Sequence, residues 1–385
     1  MNFKVSVIIP TYNAENVIVR TIKSIQKQTI GFENIELIIV DDNSNDSTKS
    51  ILKEYESKYP NMKCILKDDN SGTPSRGRNI GIDNASSEYI MFIDQDDQYV
   101  EDMCETLYNA IKKYDVDIVM CDYKTINNNE FSSFDPKNQD DSSFIQCDPK
   151  DNETILLTNF MWNKIFKMEF IKKYDIKCPE GCFCEDPVFC IKAYLNTENV
   201  VFLNQYKGYL YNIGDDKDNP SASNSFNKDR FMRLFIGYEI VINMLKEANR
   251  QDLINEWMKF HFTNFISSFV RLDADYSDKI MILKDLTKFK KYANFNEKLN
   301  ESWAEIISKN LDRGNYKFII FYANIINKLY GLSTLRRVYR SVYNKFTWFL
   351  FSLKYELMVI LKKVNLNELF NFNYYHKFQW GKWHS

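Results

Sequence analysis

Four consecutive residues, Asp94-Gln95-Asp96-Asp97, hold the densest chemistry of this 385-residue chain. They follow Tyr89-Ile90-Met91-Phe92-Ile93, a short apolar run that reads as a buried strand. Carboxylates crowded at a strand end repel one another and lose hydration, so the cluster needs a counter-charge. A hard divalent cation with oxygen ligands supplies one. A solvated acidic turn is the competing reading of the same spacing. Two earlier strand ends bring polar groups to the same edge, Ile9-Pro10-Thr11-Tyr12-Asn13 and Val40-Asp41-Asp42-Asn43-Ser44. A tyrosine there can stack on a nucleobase, and an aspartate can accept a hydrogen bond from a ring N–H. A base reader followed by a metal–diphosphate clamp is the layout that holds a nucleotide-sugar. Each piece is weak by itself, because Asp-Asp before a helix is also ordinary N-cap chemistry.

The elements that must position these residues alternate between two periods. Val5 to Ile9, Glu36 to Val40, Met62 to Leu66 and Glu88 to Ile93 read as buried strands. Between them, Ala14 to Gln28 carries apolar residues at helical spacing, and Asp46-Ser47-Thr48 can cap a helix with Ile51, Leu52 and Tyr55 inside. Thr73-Pro74-Ser75 opens a third helix through Ile82, with proline suited to its first turn, and Val100 to Lys113 is a fourth. Strand and helix alternating at this spacing predict an α/β fold with a mostly parallel sheet and right-handed crossovers. Ligands of such sheets sit at the C-terminal strand ends, where the acids fall.

Beyond residue 120 the regularity fades. Residues 127–152 are rich in Asn, Asp and Ser and read as a loop or lid. Helices are expected over Glu153–Phe160, Lys164–Tyr174 and Pro187–Leu195, with short strands at Val200–Leu203 and Lys207–Tyr211. Residues 214–228 are polar, and the remainder is helical almost to the end. Faces such as Phe231/Leu234/Phe235/Tyr238 and Trp257/Phe260/His261/Asn264/Phe265 support that reading. The chain therefore divides into residues 1–225, an α/β domain, and 226–385, a helical region.

Bulk properties exclude little. Hydrophobic content of 44% with 26% charged residues is ordinary for a globular protein, and a net charge of −2 gives no reason to expect nucleic acid as partner. The charge is uneven: residues 330–385 hold nine Lys/Arg against Glu356 and Glu368. Within them, Phe346 to Leu361 is apolar but interrupted by Lys354 and Glu356, short of the ~20 apolar residues that span a bilayer. With Trp348, Trp380 and Trp383 nearby, this segment could lie on an anionic membrane surface or pack on protein. No basic and apolar leader precedes the first strand, so a cytoplasmic protein is expected, with its eight cysteines reduced. Cys178-x3-Cys182-x-Cys184-x5-Cys190 lacks the usual C-x2-C zinc spacing and reads as packed thiols. Histidine occurs only at 261, 376 and 384, which speaks against a histidine-based mechanism.

The motifs together resemble a known family. Val7 to Asn13, Ile39 to Ser44, Gly77-Arg78-Asn79-Ile80-Gly81, Phe92 to Asp97, Trp162 to Phe166, Cys184 to Phe189 and Tyr209-Leu210-Tyr211 resemble successive signatures of family 2 glycosyltransferases with the GT-A fold, of the surface-polysaccharide type. The resemblance spans roughly residues 3–212. It is specific to the family and nearly silent about which sugar moves. It implies a Rossmann-like GT-A domain and a nucleotide-diphosphate sugar donor, a UDP-sugar favoured, with Mg²⁺ or Mn²⁺ as cofactor. It implies that Pro10, Tyr12 and Asp42 line the base pocket, that Arg78 lies by the nucleotide or its phosphates, and that Asp96 binds the metal. Asp94 would touch ribose or sugar, and Trp162, Lys164 and Glu185 would shape the acceptor side. Asp186 would be the catalytic base of an inverting displacement onto a hydroxyl of a glycan or lipid-linked acceptor. Acids before Pro187 also favour a helix N-terminus, and both roles can coexist. Two alternatives remain: a nucleotidyltransferase, for which Thr11-Tyr12-Asn13-Ala14-Glu15-Asn16 lacks the glycine-rich phosphate loop, and a non-catalytic nucleotide-sugar-binding scaffold, against which the acidic sets argue.

Overall fold

Seven consecutive buried residues, Val5–Thr11, make the first strand, β1. A strand sealed on both faces must lie inside a sheet with both faces covered. A computed structural model describes residues 2–127, 130–132, 145–151, 158–212, 227–293, 295–296, 299 and 302–331. In it β1 runs parallel to β2 (Ile35–Asp41) on one side and β4 (Tyr89–Phe92) on the other, with β3 (Met62–Leu66) parallel outside β2. Helices α1 (Ile18–Gln26), α2 (Thr48–Lys58), α3 (Pro74–Asn84) and α4 (Met103–Tyr114) complete the expected alternation. Val5, Ile9, Ile22, Ile39, Met91 and Leu107 belong to one sealed core.

The second half of the sheet is mixed. Among the described residues the order is β3-β2-β1-β4-β9-β6-β10-β5, with β7 (Glu130–Ser132) on β6 and β8 (Ile145–Cys147) on β10. Strand β6 (Ile118–Asn127) has no counterpart in the sequence reading. Nor does β5 (Gln98–Tyr99). The helix expected over Lys164–Tyr174 is corrected: Lys164–Lys167 is strand β9, and only Met168–Lys173, α5, is helical. Strand β9 lies antiparallel between β4 and β6, pairing Phe166 with both Ile90 and Ile118. Ile165 and Phe166 point to opposite faces, and both are fully buried. A central strand loses the polar–apolar alternation that would mark it, so its apolar residues fit a helical spacing equally well. The two short strands expected near 200–211 are one, β10 (Val200–Asn212), with irregular register against β6 between Leu203 and Tyr209. Of the expected helix Glu153–Phe160, residues 158–160 are irregular and 152–157 lie outside the described residues.

After α6 (Glu185–Asn196) and β10, the described chain is helical: α7 (Lys228–Glu247), α8 (Gln251–Arg271), α9 (Tyr276–Tyr292), α10 (Ser302–Asp312) and α11 (Tyr316–Gly331). Phe231, Leu234 and Tyr238 of α7 are buried, as are Trp257 and Phe265 of α8, whereas Asn264 is exposed. Phe231 meets Phe265 edge-on at 4.7 Å. The chain forms two compact units, residues 1–320 and 321–385, and the second is described only over 321–331. The basic, aromatic segment beyond 331, most of the 127–152 loop and residues 213–226 lie outside the described residues. No described helix is long and apolar enough to cross a membrane.

One packing detail brings chemistry to the sheet edge. A Cβ built on Gly81 would overlap Ile8 of β1, and one on Gly77 would sit 3.1 Å from the Pro10 Cβ. These glycines, one turn apart, give α3 a flat face that closes directly onto β1. Arg78 and Asn79 ride between them and are carried into the interior.

Candidate active site

Parallel pairing fixes where the strand ends fall. Thr11 is in register with Asp41, the Asp42 N–H donates to the Thr11 carbonyl at 2.8 Å, and the Ile93 N–H donates to Ile8. Tyr12, Asp42 and Asp94 therefore emerge side by side at one edge. Tyr12 is 42% exposed, and its backbone is clipped in place by Gln95. Its N–H donates to Gln95 Oε1 at 2.7 Å, and Gln95 Nε2 donates to its carbonyl at 3.2 Å. Gln95, which sequence reasoning passed over between its acidic neighbours, thus ties the first strand end to the fourth.

Asp41 and Asp42 divide their roles. Asp41 is sealed and accepts from the Ser44 N–H at 2.9 Å, so it shapes the turn after β2. Asp42 accepts from the Ser71 N–H and hydroxyl at 2.7 and 2.8 Å and from Arg76 at 2.7 Å. Arg76 also pairs with Asp69 at 2.6 Å. Neither Ser71 nor Arg76 belongs to a recognisable motif, so only the structure brings them to the candidate base pocket.

The acidic turn is held mainly by its backbone. Thr21 Oγ1 donates to the carbonyls of Gln95 and Asp97, while Arg20 and Asn212 donate to that of Asp96. Asp97 is buried and accepts from the Tyr209 hydroxyl at 2.6 Å and the Asn212 N–H at 2.7 Å. Burial, with Asp96 and Asp94 close by, pushes its carboxyl well above the usual range. Asp97 is therefore a structural anchor. Asp94 and Asp96 remain as the partly exposed pair.

Arg78 is the electrostatic centre of the site. Only 3% of its side chain is exposed, and it donates to Asp94 Oδ1 at 2.7 Å and Glu185 Oε1 at 2.9 Å. Asp186 Oδ1 lies 2.9 Å from the same guanidinium but makes no aligned hydrogen bond there. The second oxygen-rich loop is anchored next door: Asn79 Nδ2 donates to the Cys178 carbonyl at 2.9 Å, and the Cys178 N–H returns a bond at 2.8 Å. Burial raises the Asp186 carboxyl to about 7, with Glu185 and Asp94 adding to the rise and Arg78 and the Met161 N–H opposing it. An Asp held near neutrality, sharing one arginine with a second acidic set, has the chemistry of a proton-transfer group.

Trp162 and Lys164 both lie inside the fold. Trp162 is buried in a stack with Tyr209 at 4.1 Å and Phe160 at 4.7 Å, and Phe160 is 37% exposed. Lys164 is sealed, and its ammonium donates to the carbonyls of Thr158 and Phe160 and to Asn163 Oδ1. Burial pushes it down to about 8. It staples the 158–163 turn and so sets the height of the exposed Phe160 ring. Cys178, Cys182, Cys184 and Cys190 all have thiols raised by burial, and no three His, Cys, Asp or Glu side chains among the described residues converge as metal ligands. Two hard carboxylates at the strand end still fit Mg²⁺ or Mn²⁺, which commonly take one or two protein oxygens and complete their shell with phosphate and water.

Residues 6–181 match the family model described as glycosyl transferase family 2. Glu185 and Asp186 fall just beyond that segment. Among curated proteins, the chain is 30% identical over 281 residues to poly(ribitol-phosphate) beta-N-acetylglucosaminyltransferase TarS of Staphylococcus aureus, covering 70% of this chain and 47% of that protein. It is 33% identical over 221 residues to poly(ribitol-phosphate) beta-glucosyltransferase of Bacillus spizizenii, covering 57% of this chain and 34% of that one. The chain thus spans half or less of the length of these relatives. Its fold is that of the S. aureus TarS crystal structure in complex with UDP-GlcNAc, with a TM-score of 0.62 at 23% identity over 86% of this chain and 92% of that one.

Proposed function

The chain carries a family 2 glycosyltransferase domain of GT-A architecture, and from that premise we propose that it moves a sugar from a UDP-sugar to a hydroxyl of a cell-surface polymer or its lipid-linked precursor, with inversion. The observation that carries the proposal is Asp186, raised to about 7 and joined through one buried arginine to Asp94 of the donor side. The names of the relatives, which act on poly(ribitol-phosphate), support a surface polymer as acceptor. The TarS complex supports a uridine nucleotide as donor.

In this reading Tyr12 stacks on the base, Pro10 walls the pocket, and Asp42 accepts from the ring N–H. Asp96 would hold Mg²⁺ or Mn²⁺, which when bound would offset charge building on the diphosphate, and Asp94 would face the ribose or the donor sugar. Asp186 takes the proton from the acceptor hydroxyl as that oxygen attacks the anomeric carbon. The hydroxyl becomes acidic only as the new bond forms, so a base near neutrality suffices. Arg78 holds Asp186 and Asp94 in fixed relation, and the exposed Phe160 ring offers a stacking face to an acceptor.

Thermal-shift measurements with UDP-, GDP-, CDP- and dTDP-sugars, each with Mn²⁺, test the donor. Ligand at 100 times its Kd stabilises by about 2.7 kcal/mol, so the UDP-sugars are expected to raise Tm by several degrees and the others less. Asp96→Ala is expected to abolish the Mn²⁺-dependent part of that shift. A shift of the same size in Asp96→Ala and wild type would remove Asp96 from metal binding.

We extend the proposal to the two parts of the chain: residues 1–225 catalyse, and 226–385 form a helical region whose basic end attracts the enzyme to the cytoplasmic membrane face. Each Lys or Arg near an anionic surface contributes about 1 kcal/mol. Deleting 330–385 is expected to lower co-sedimentation with phosphatidylglycerol vesicles at low salt. Unchanged partitioning would overturn this part.

A further inference from the structure

The turn that delivers Asp186 is strained and does not hold itself. Cys184, the residue before α6, has φ +78°, a left-handed backbone that non-glycine residues adopt at a cost, and α6 receives no side-chain cap there. Something outside the turn must keep it in place. On the side of β1, Asn79 grips Cys178. On the other side lies α7, which begins some forty residues after Asp186.

Helix α7 meets the turn without a gap. A Cβ built on Gly237 would overlap the Phe183 carbonyl oxygen and come within 2.9 Å of the Cys184 Cβ. One residue on, the Tyr238 hydroxyl lies close to the Cys184 thiol and 3.4 Å from His261 Nδ1. The Tyr238 ring is braced from behind by Trp257, edge-on at 4.8 Å. Two turns earlier on the helix, the Arg230 guanidinium lies over the Phe183 ring at 5.0 Å. Close backbone contact, the neighbouring Tyr238 side chain and a cation–π contact therefore converge on two residues, Phe183 and Cys184.

We propose that Gly237 and Tyr238 are positioning residues for the transfer reaction: α7 clamps the Phe183-Cys184 turn in its left-handed conformation and thereby aims Asp186 at the acceptor. The proposal rests on Asp186 being the base. It assigns a catalytic contribution to the helical region, outside residues 6–181 that match the family model. Gly237 is required because the helix must touch the backbone it supports, and any side chain would push Phe183 away. Tyr238 stands beside Cys184, and the aromatic packing behind it keeps its ring from moving.

The test compares the full chain with Gly237→Ala, Tyr238→Phe and Asp186→Asn, measuring UDP release from the UDP-sugar that gives the largest thermal shift, together with UDP affinity by calorimetry. A displacement on the order of 1 Å costs up to about 100-fold in rate. Gly237→Ala is expected to lower kcat roughly ten- to a hundred-fold, and Tyr238→Phe several-fold, with donor KM and UDP affinity within about twofold of wild type. Combining Tyr238→Phe with Cys184→Ala is expected to add no further loss, because both act at one contact. Should Gly237→Ala fail to fold, Tyr238→Phe decides by the same split. Wild-type kcat in the α7 variants, or kcat falling only in step with UDP affinity, overturns the proposal while Asp186→Asn is inactive. An active Asp186→Asn removes the base assignment instead, and this proposal with it.

Discussion

Replacing Asp186 with Asn is expected to remove transfer while leaving UDP binding close to wild type. The amide keeps the size of the carboxylate but cannot accept the acceptor's proton, so the loss should be on the order of 10²–10⁴ in kcat. Donor KM should barely move, because the proposed role of Asp186 is toward the acceptor hydroxyl and not the nucleotide. The wild-type enzyme should show an acid limb in kcat/KM near pH 7, since Asp186 is held at about 7 and must be ionised to act. Activity therefore falls as pH drops through 7. The groups that set this value are Glu185 and Asp94, which raise it after burial itself, and Arg78 and the Met161 N–H, which lower it. Stability has the opposite sign. Between the ordinary carboxyl value near 3.8 and about 7 the folded chain binds a proton that the unfolded chain has lost, so this group's contribution to stability falls as pH rises through that window. Asp186→Asn has no such group, and its Tm is expected to match or exceed that of the wild type at pH 8. A near-normal kcat in this variant would show that another group takes the proton.

Arg78→Ala is expected to damage both folding and chemistry. The guanidinium stands against Asp94, Glu185 and Asp186, and its side chain is 3% exposed. Removing one partner from a buried ionic set leaves charges uncompensated, at a cost of about 3–5 kcal/mol. Denaturant unfolding measures that cost. Without Arg78, Asp186 loses the largest influence that lowers its pKa, so the acid limb should move to higher pH and activity at pH 7 should fall further. Arg78→Lys should recover part of the stability but not the profile, because an ammonium cannot reach three carboxylates as a planar fork does. An unchanged acid limb in Arg78→Lys would mean that the arginine braces the loop without tuning the base.

The parts of this architecture legible in the sequence are those written locally. Val5 to Ile9, Glu36 to Val40 and Tyr89 to Ile93 announce strands by unbroken apolar runs, and the acids and Tyr12 follow directly at their ends. Parallel pairing then makes neighbours of residues that are far apart in sequence, as the pairing of Thr11 with Asp41 shows. Strand β9 was not legible, because Ile165 and Phe166 are buried on opposite faces and so match a helix as well as a strand. The work of Gln95 was equally hidden. Nothing about a glutamine between two aspartates foretells that it will clip the backbone of Tyr12.

By itself, the sequence determined the α/β alternation, the strand ends that gather at one edge, and the identity of the acids that can do chemistry there. Those follow from periodicity and residue type, which act over a few residues. Tertiary structure alone decided which charge meets which. Arg78 faces three carboxylates because Gly77 and Gly81 let its helix lie flat on β1, and Asp97 is an anchor because β10 brings Tyr209 and Asn212 to it. Asp186 is held near neutrality because burial outweighs the arginine beside it. Desolvation and Coulomb interaction depend on distance in space, and distance in space is what a linear pattern does not record.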